Sequence, residues 1–143
     1  MHVRTIMTHA TEMVGPATPI REIANRMKKH DIGFVPVCDG DRLVGIVTDR
    51  DIAIRAVADG KPASTMAADV MTPGVECCYA DEDVEQAARI MADRQVRRLV
   101  VLDRADNRIV GVISLGDLST RMNKEETVAK TLEAVSEPMA SLA

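Results

Sequence analysis

Aromatic side chains are nearly missing from this chain: Phe34 and Tyr79 are the only two, and tryptophan is absent. Proteins that bind single-stranded nucleic acid stack bases on aromatic rings, so that mode is excluded, and any base held here must lie between aliphatic side chains. A cationic excess is missing as well. The 18 lysines and arginines face 22 acids, a formal charge of -4, whereas neutralising the phosphates of nucleic acid needs a cationic face. Cysteine is sparse: Cys38, Cys77 and Cys78 are odd in number and lack metal-ligand spacing. Neighbouring cysteines on a strand point to opposite faces, so these three read as small buried hydrophobes. His2, His9 and His30 are scattered, and neither a metal site nor a histidine triad assembles from local spacing. No apolar run reaches membrane-spanning length. The opening Met1-His2-Val3-Arg4-Thr5-Ile6 lacks the apolar segment of a signal peptide, so a cytoplasmic location is expected. A Walker loop and a nucleophile elbow are also lacking, and an enzyme is not expected.

What is present is present twice. Ile6-Met7-Thr8 returns as Val70-Met71-Thr72, 64 residues on, and Leu43-Val44-Gly45-Ile46-Val47-Thr48 returns as Ile109-Val110-Gly111-Val112-Ile113-Ser114, 66 residues on. The turn at 103–107 accounts for the two extra residues. A unit of roughly 60 residues buries only about 60% of its unfolded surface and is marginal alone. Two copies are therefore expected to share one core and leave a cleft between them. A hydrophobic fraction of 46% supplies core material for one compact domain.

Each copy reads as strand, helix, strand, strand, helix. In the first, 11–14 is a short expected strand, Thr18 an N-cap and Pro19 a first helical residue. Ile20, Ile23, Ala24 and Met27 follow on one helical face, and Val84, Ala87, Ala88 and Met91 repeat them, a stripe that needs no role beyond core packing. Residues 34–37 and 42–47 flank Cys38-Asp39-Gly40-Asp41 as a hairpin, and Pro36 implies an edge strand. A second helix is expected from Asp49 towards Gly60. In the second copy 75–79, 84–94, 99–102, 108–113 and 115–122 take the same roles. Asn123 with Glu126 can cap a last helix that carries Val128, Leu132 and Val135 on one side.

The chemistry gathers where a strand meets a helix. Gly45-Ile46-Val47-Thr48-Asp49-Arg50-Asp51 and Gly111-Val112-Ile113-Ser114-Leu115-Gly116-Asp117 share one grammar: glycine, two apolar residues, a hydroxyl, two spacers, aspartate. A hydroxyl followed three residues later by an acid is a capping box that needs no ligand. A helix start also offers unpaired N–H groups to phosphate. Thr48 or Ser114 could donate to a phosphate oxygen, and Asp51 or Asp117 could accept from both hydroxyls of a ribose. Gly45 and Gly111 serve close strand packing in one reading and close approach of a ligand in the other. Arg97 and Arg98, with Arg89, Arg94, Arg104 and Arg108, could equally form a solvated face.

The duplicated motif, with Val35-Pro36-Val37 or Leu99-Val100-Val101 before it and the opening Ile-Met-Thr and Val-Met-Thr, resembles a pair of cystathionine-β-synthase (CBS) domains over residues 1 to 122. Arg97-Arg98-Leu99-Val100-Val101 with its motif is similar to repeats in the γ subunit of AMP-activated kinase. His30-Asp31-Ile32-Gly33 with 43–51 resembles bacterial stand-alone CBS pairs. The resemblance implies an α/β (α+β) fold of two tandem CBS repeats, 1–60 and 68–122, joined by a linker at 61–67 and followed by a helix and tail at 123–143. The repeats would pack with pseudo-twofold symmetry around a central cleft. It further implies a non-catalytic sensor, an energy-sensing module in the AMP and ATP case, that binds AMP, ADP, ATP, NAD or S-adenosylmethionine in that cleft. A homodimer and an unknown protein target are expected, with no nucleic acid, membrane, metal or catalytic cofactor. By position, Asp51 and Asp117 would bind ribose, while Thr48, Ser114, Arg98 and Arg97 would approach phosphate. The first copy has Gly33-Phe34 where the second has Arg97-Arg98, so the sites should differ, with Arg50 as a possible substitute cation. The alternative is a structural dimerisation module whose hydroxyl-aspartate pairs are only caps.

Overall fold

The computed structural model describes residues 1–10, 12–121 and 132–136. In chain order the elements begin with α1 (Val3–Ile6), β1 (Thr8–His9), α2 (Ile20–His30), β2 (Phe34–Asp39), β3 (Arg42–Thr48) and α3 (Asp49–Asp51). After α3 a π-helical stretch (Ile52–Val57) and a 3-10 turn (Ala67–Asp69) precede β4 (Thr72–Pro73), β5 (Cys77–Tyr79), α4 (Val84–Arg94), β6 (Arg98–Leu102), β7 (Ile109–Ser114) and α5 (Leu115–Arg121). They form a mixed α+β fold divided into two packing units. One is Ala10–Val75; the other joins Met1–His9 to Glu76–Ala143. The boundaries of packing therefore differ from those of sequence repetition: the Met-Thr segment that precedes each repeat packs in the unit of the other.

In the unit Ala10–Val75 the sheet order is β2-β3-β4. The β2–β3 hairpin closes at Asp39↔Arg42 around Gly40, whose φ of +63° favours glycine. Pro36 lies on β2 at the edge, and its carbonyl accepts from Val14 N at 3.1 Å. The strand expected at 11–14 is a single parallel bridge, Val14↔Val37, among the described residues; Thr11 lies outside them. Helix α2 starts one residue later than expected, with Pro19 as its cap. Thr18 Oγ1 instead accepts from Gly15 N at 3.1 Å, tightening the preceding turn. Ile20, Ile23 and Met27 are buried with Val14, Val35, Val37, Val47, Ala56, Ala67 and Val70, at roughly 1.5–3 kcal/mol for each large aliphatic side chain.

The other unit carries the sheet β1-β7-β6-β5. β5 and β6 run parallel with α4 as their crossover. Asp83 caps α4 by accepting from Glu85 N at 2.9 Å. Val84, Ala87, Ala88 and Met91 face a core of Val3, Ile6, Cys78, Leu99, Val101, Ile113 and Leu118. Val135 joins that core from the helical residues 132–136, while Leu132 is exposed and Val128 lies outside the described residues.

The duplication reaches the helix ends. α2 and α4 both stop at a non-glycine residue in the left-handed region, Asp31 at φ 51° and Gln95 at φ 53°. In both, the next residue donates back five positions, Ile32 N to Met27 O and Val96 N to Met91 O, each at 3.0 Å. Ile32 and Val96 then pack on their cores, the apolar contact that accompanies this cap.

The expected second helix of the first copy begins as α at Asp49 and widens into a π-helix over Ile52–Val57. Ala58 N bonds Ala53 O and Lys61 N bonds Ala56 O, both five residues back. The wider turns bury Ala56 and leave Ile54 and Val57 exposed.

Candidate functional site

Each unit holds one copy of the hydroxyl-aspartate motif at the junction of its hairpin with a helix. In the first, Thr48 N donates to Asp51 Oδ2 at 2.9 Å and Asp51 N donates to Thr48 Oγ1 at 3.1 Å. In the second, Ser114 N donates to Asp117 Oδ2 at 2.9 Å and Asp117 N donates to Ser114 Oγ at 3.1 Å. Both motifs are thus complete capping boxes with matching dimensions. A carboxylate accepts about four hydrogen bonds, so the box leaves capacity on each aspartate.

That capacity differs between the copies. Asp51 is only 8% exposed. Thr72 Oγ1 donates to its two oxygens at 3.3 and 3.4 Å, and Arg55 Nε stands 3.8 Å from Oδ1 while Arg55 Nη1 donates to Met71 O at 3.1 Å. Asp117 is half-buried, and among the described residues its Oδ1 carries no hydrogen bond. Thr8 stands where Thr72 does in the repeat, yet makes no such bond to Asp117 among the described residues. Thr48 is buried and Ser114 half-buried.

Sequence position did not single out Thr72 and Arg55. The Met-Thr repeat was visible, but its attachment to Asp51 depends on β4 pairing with β3, a contact no local pattern shows. Arg55 had a signal: aspartate is followed four residues later by arginine in both copies, Asp51 to Arg55 and Asp117 to Arg121. The Arg121 side chain lies outside the described residues.

The two motif glycines serve the crossing of the Met-Thr segments. A Cβ on Gly45 would meet Met71 Sδ at 2.7 Å and Thr72 O at 2.9 Å. A Cβ on Gly111 would meet Met7 Sδ and Thr8 O, both at 2.7 Å. Backbone oxygens cannot step aside as a flexible side chain can, so both positions require glycine on packing grounds alone.

The arginines sort by register. Arg98 is the direct cross-strand partner of Ser114, and Leu115 N donates to Arg97 O at 3.0 Å. Side chains of facing residues lie on one side of an antiparallel pair, so the exposed Arg98 shares a face with the Ser114 hydroxyl. In the first copy Phe34 pairs with Thr48, and Asp49 N donates to Gly33 O, again at 3.0 Å. The backbone is the same and the cations are gone. Arg50 is exposed and forms no ion pair among the described residues.

Burial, then Glu82 and Cys77, push the Cys78 thiol up to about 12. Burial, then an acidic neighbour, Asp41 or Glu76, raises Cys38 and Cys77. Among the described residues no three His, Cys, Asp or Glu side chains are grouped to hold a metal ion, and no helix is long and apolar enough to cross a membrane.

The CBS domain family model matches residues 3–57 and 67–124. The CBS domain-containing protein YhcV of Bacillus subtilis is 35% identical over 134 residues, covering 94% of both chains. Among solved structures, the CBS domain pair of protein MJ0100, in complex with 5′-methylthioadenosine and S-adenosyl-L-methionine, is 29% identical with a TM-score of 0.67. That match covers 83% of this chain and 93% of that one. CBSX2 in complex with AMP is 26% identical with a TM-score of 0.64, over 82% of this chain and 93% of that one. A duplicated hairpin-and-capping-box unit that these models match across both copies makes the chain a member of the CBS domain family, with two CBS domains in tandem.

Proposed function

We propose that this CBS pair is a non-catalytic regulatory module that binds an adenosine-bearing ligand through its hydroxyl-aspartate motifs, with the second copy taking the phosphate. The observation that carries the proposal is the Arg98↔Ser114 pairing beside a half-buried Asp117 whose Oδ1 carries no hydrogen bond among the described residues. Arg98 supplies charge for a phosphate, the Ser114 hydroxyl donates to it, and Asp117 Oδ1 accepts from the ribose. AMP in CBSX2 and S-adenosyl-L-methionine in MJ0100 give the ligand class its support. ATP and NAD carry the same adenosine and phosphate groups. Thr48 and Asp51 would contribute the first copy's contacts. The readout is a population shift: ligand favours one arrangement of the chain, which a second copy in a homodimer or a protein target then reads.

A thermal-shift panel of AMP, ATP, NAD, S-adenosylmethionine and 5′-methylthioadenosine tests the reading. A ligand at 100 times its dissociation constant adds roughly 2.7 kcal/mol, so at least one should raise the melting temperature clearly. Unchanged melting with all five contradicts the proposal. The second reading, a structural dimerisation module, is favoured by one observation: both aspartates complete their own capping boxes. It expects Asp117→Ala to lower stability without changing any ligand affinity.

A further inference from the structure

We propose that Asp49 keeps phosphate-bearing nucleotides out of the first CBS copy and so confines them to the second; the inference rests on the nucleotide-binding reading above. The two copies superimpose bond for bond where the hairpin enters the helix. Asp49 N reaches Gly33 O, and Leu115 N reaches Arg97 O, both at 3.0 Å. The side chains on this shared backbone carry opposite charge. In the second copy the accepting carbonyl belongs to a cationic residue, Arg97, followed by the cation Arg98, and the donating amide belongs to neutral Leu115. In the first copy the carbonyl belongs to Gly33, followed by Phe34, and the amide belongs to a carboxylate.

Gly33 is part of the device. A Cβ there would stand 3.1 Å from Asp49 Oδ2, so the missing side chain makes room for the carboxylate. Asp49 Oδ1 is held by Arg50 N at 2.8 Å, which fixes the carboxylate beside the Thr48 capping box. Arg55, the arginine nearest the motif aspartate, is already engaged with Asp51 and Met71 O, and Arg50 pairs with neither aspartate among the described residues. A phosphate brought to the Thr48 hydroxyl therefore meets a carboxylate on the next residue, whereas one brought to Ser114 meets Arg98 on the same face. Repulsion over a few ångström at a partly exposed site changes affinity by about tenfold or more and is screened by salt. An adenosine compound with an uncharged 5′ substituent, such as a thioether, escapes that penalty. The first copy is thus selective for the nucleoside and the second for the nucleotide.

Calorimetric titration of the full chain with AMP and with 5′-methylthioadenosine tests this, using wild type and Asp49→Asn, which keeps the acceptor for Arg50 N. Wild type should take up one AMP but two 5′-methylthioadenosine molecules per chain. Asp49→Asn should admit a second AMP, at least about tenfold tighter at that copy than in wild type, with 5′-methylthioadenosine unchanged. The AMP gain should shrink in high salt. Asp49→Leu, which copies Leu115, should behave alike, and equal melting temperatures of the free proteins show that folding is intact. Two equivalent AMP sites in wild type, or an Asp49→Asn variant whose AMP binding is unaltered, overturn the inference while leaving the nucleotide-binding reading intact. Failure of both ligands to bind wild type overturns both.

Discussion

The two copies of the hydroxyl-aspartate motif share their capping distances, 2.9 and 3.1 Å in each, and differ in the side chains around them. In the first, Asp51 is buried under Thr72 and Arg55, and the neighbouring strand offers Phe34. In the second, Asp117 is half-buried with an uncommitted oxygen among the described residues, and the neighbouring strand offers Arg98. The duplicated part holds the helix start in place; the divergent part decides what can bind there. A hydroxyl-aspartate pattern read alone therefore says little about function, because the cap is complete in both copies whatever the ligand.

The largest effect should come from the element the copies share most strictly. Gly111→Ala and Gly45→Ala each drive a Cβ into a backbone oxygen, Thr8 O at 2.7 Å and Thr72 O at 2.9 Å. Overpacking of this kind costs about 1–3 kcal/mol, and urea denaturation should place both variants in that range, with Gly111→Ala at least as damaged. Equal stability of either variant with wild type would break the claim that the glycines are steric.

The aspartates should then separate the copies. Asp51→Ala removes a cap worth about 1 kcal/mol and leaves the buried Thr48 N–H without its acceptor, so about 2–3 kcal/mol is expected. Asp117→Ala loses little beyond its cap, about 1 kcal/mol. The same denaturation series measures both, and an inverted order would mean that the second copy, not the first, is the closed one.

A smaller asymmetry should appear in acid. Glu12 accepts from Arg26 and from His30, the latter at 2.7 Å, a clasp with no counterpart at Glu76, Ile90 and Arg94 of the second copy. Burial opposes ionisation of Glu12, but hydrogen bonds from His30 and Arg26 and their charges outweigh it, so its carboxyl titrates below the ordinary value. The unfolded chain binds the proton more readily. The clasp's contribution is therefore complete above the ordinary carboxylate value and is lost as pH falls through the depressed one. Melting temperatures of wild type and Glu12→Gln should differ at pH 6 and converge towards pH 3; a gap that widens in acid would refute the sign.

Much of this is legible in the sequence. The 64-residue echo carried the helices: the expected 84–94 helix is α4, and the turn chemistry at Asp39-Gly40 is a hairpin with its glycine at positive φ. Aligning the copies was enough to set Arg98 against Phe34, which the strand register then turns into a contact with Ser114 or Thr48. Local patterns could not reveal Thr72 on Asp51, since that bond spans 21 residues and needs β4 to be in place. Nor could they reveal the π-helix at Ile52–Val57, because six residues hold too few turns to tell one helical period from another. Thr18 was misplaced as a cap because its hydroxyl had a competing donor, Gly15 N, in the turn before the helix.

The central claim is that Arg98 takes the phosphate of a nucleotide whose sugar rests on Asp117. Titrating AMP and adenosine into wild type and Arg98→Ala tests it most directly. The account predicts an AMP affinity at least about tenfold weaker in the variant, as expected for a lost charge-assisted contact, with adenosine binding unchanged. AMP binding that survives the substitution intact would contradict it.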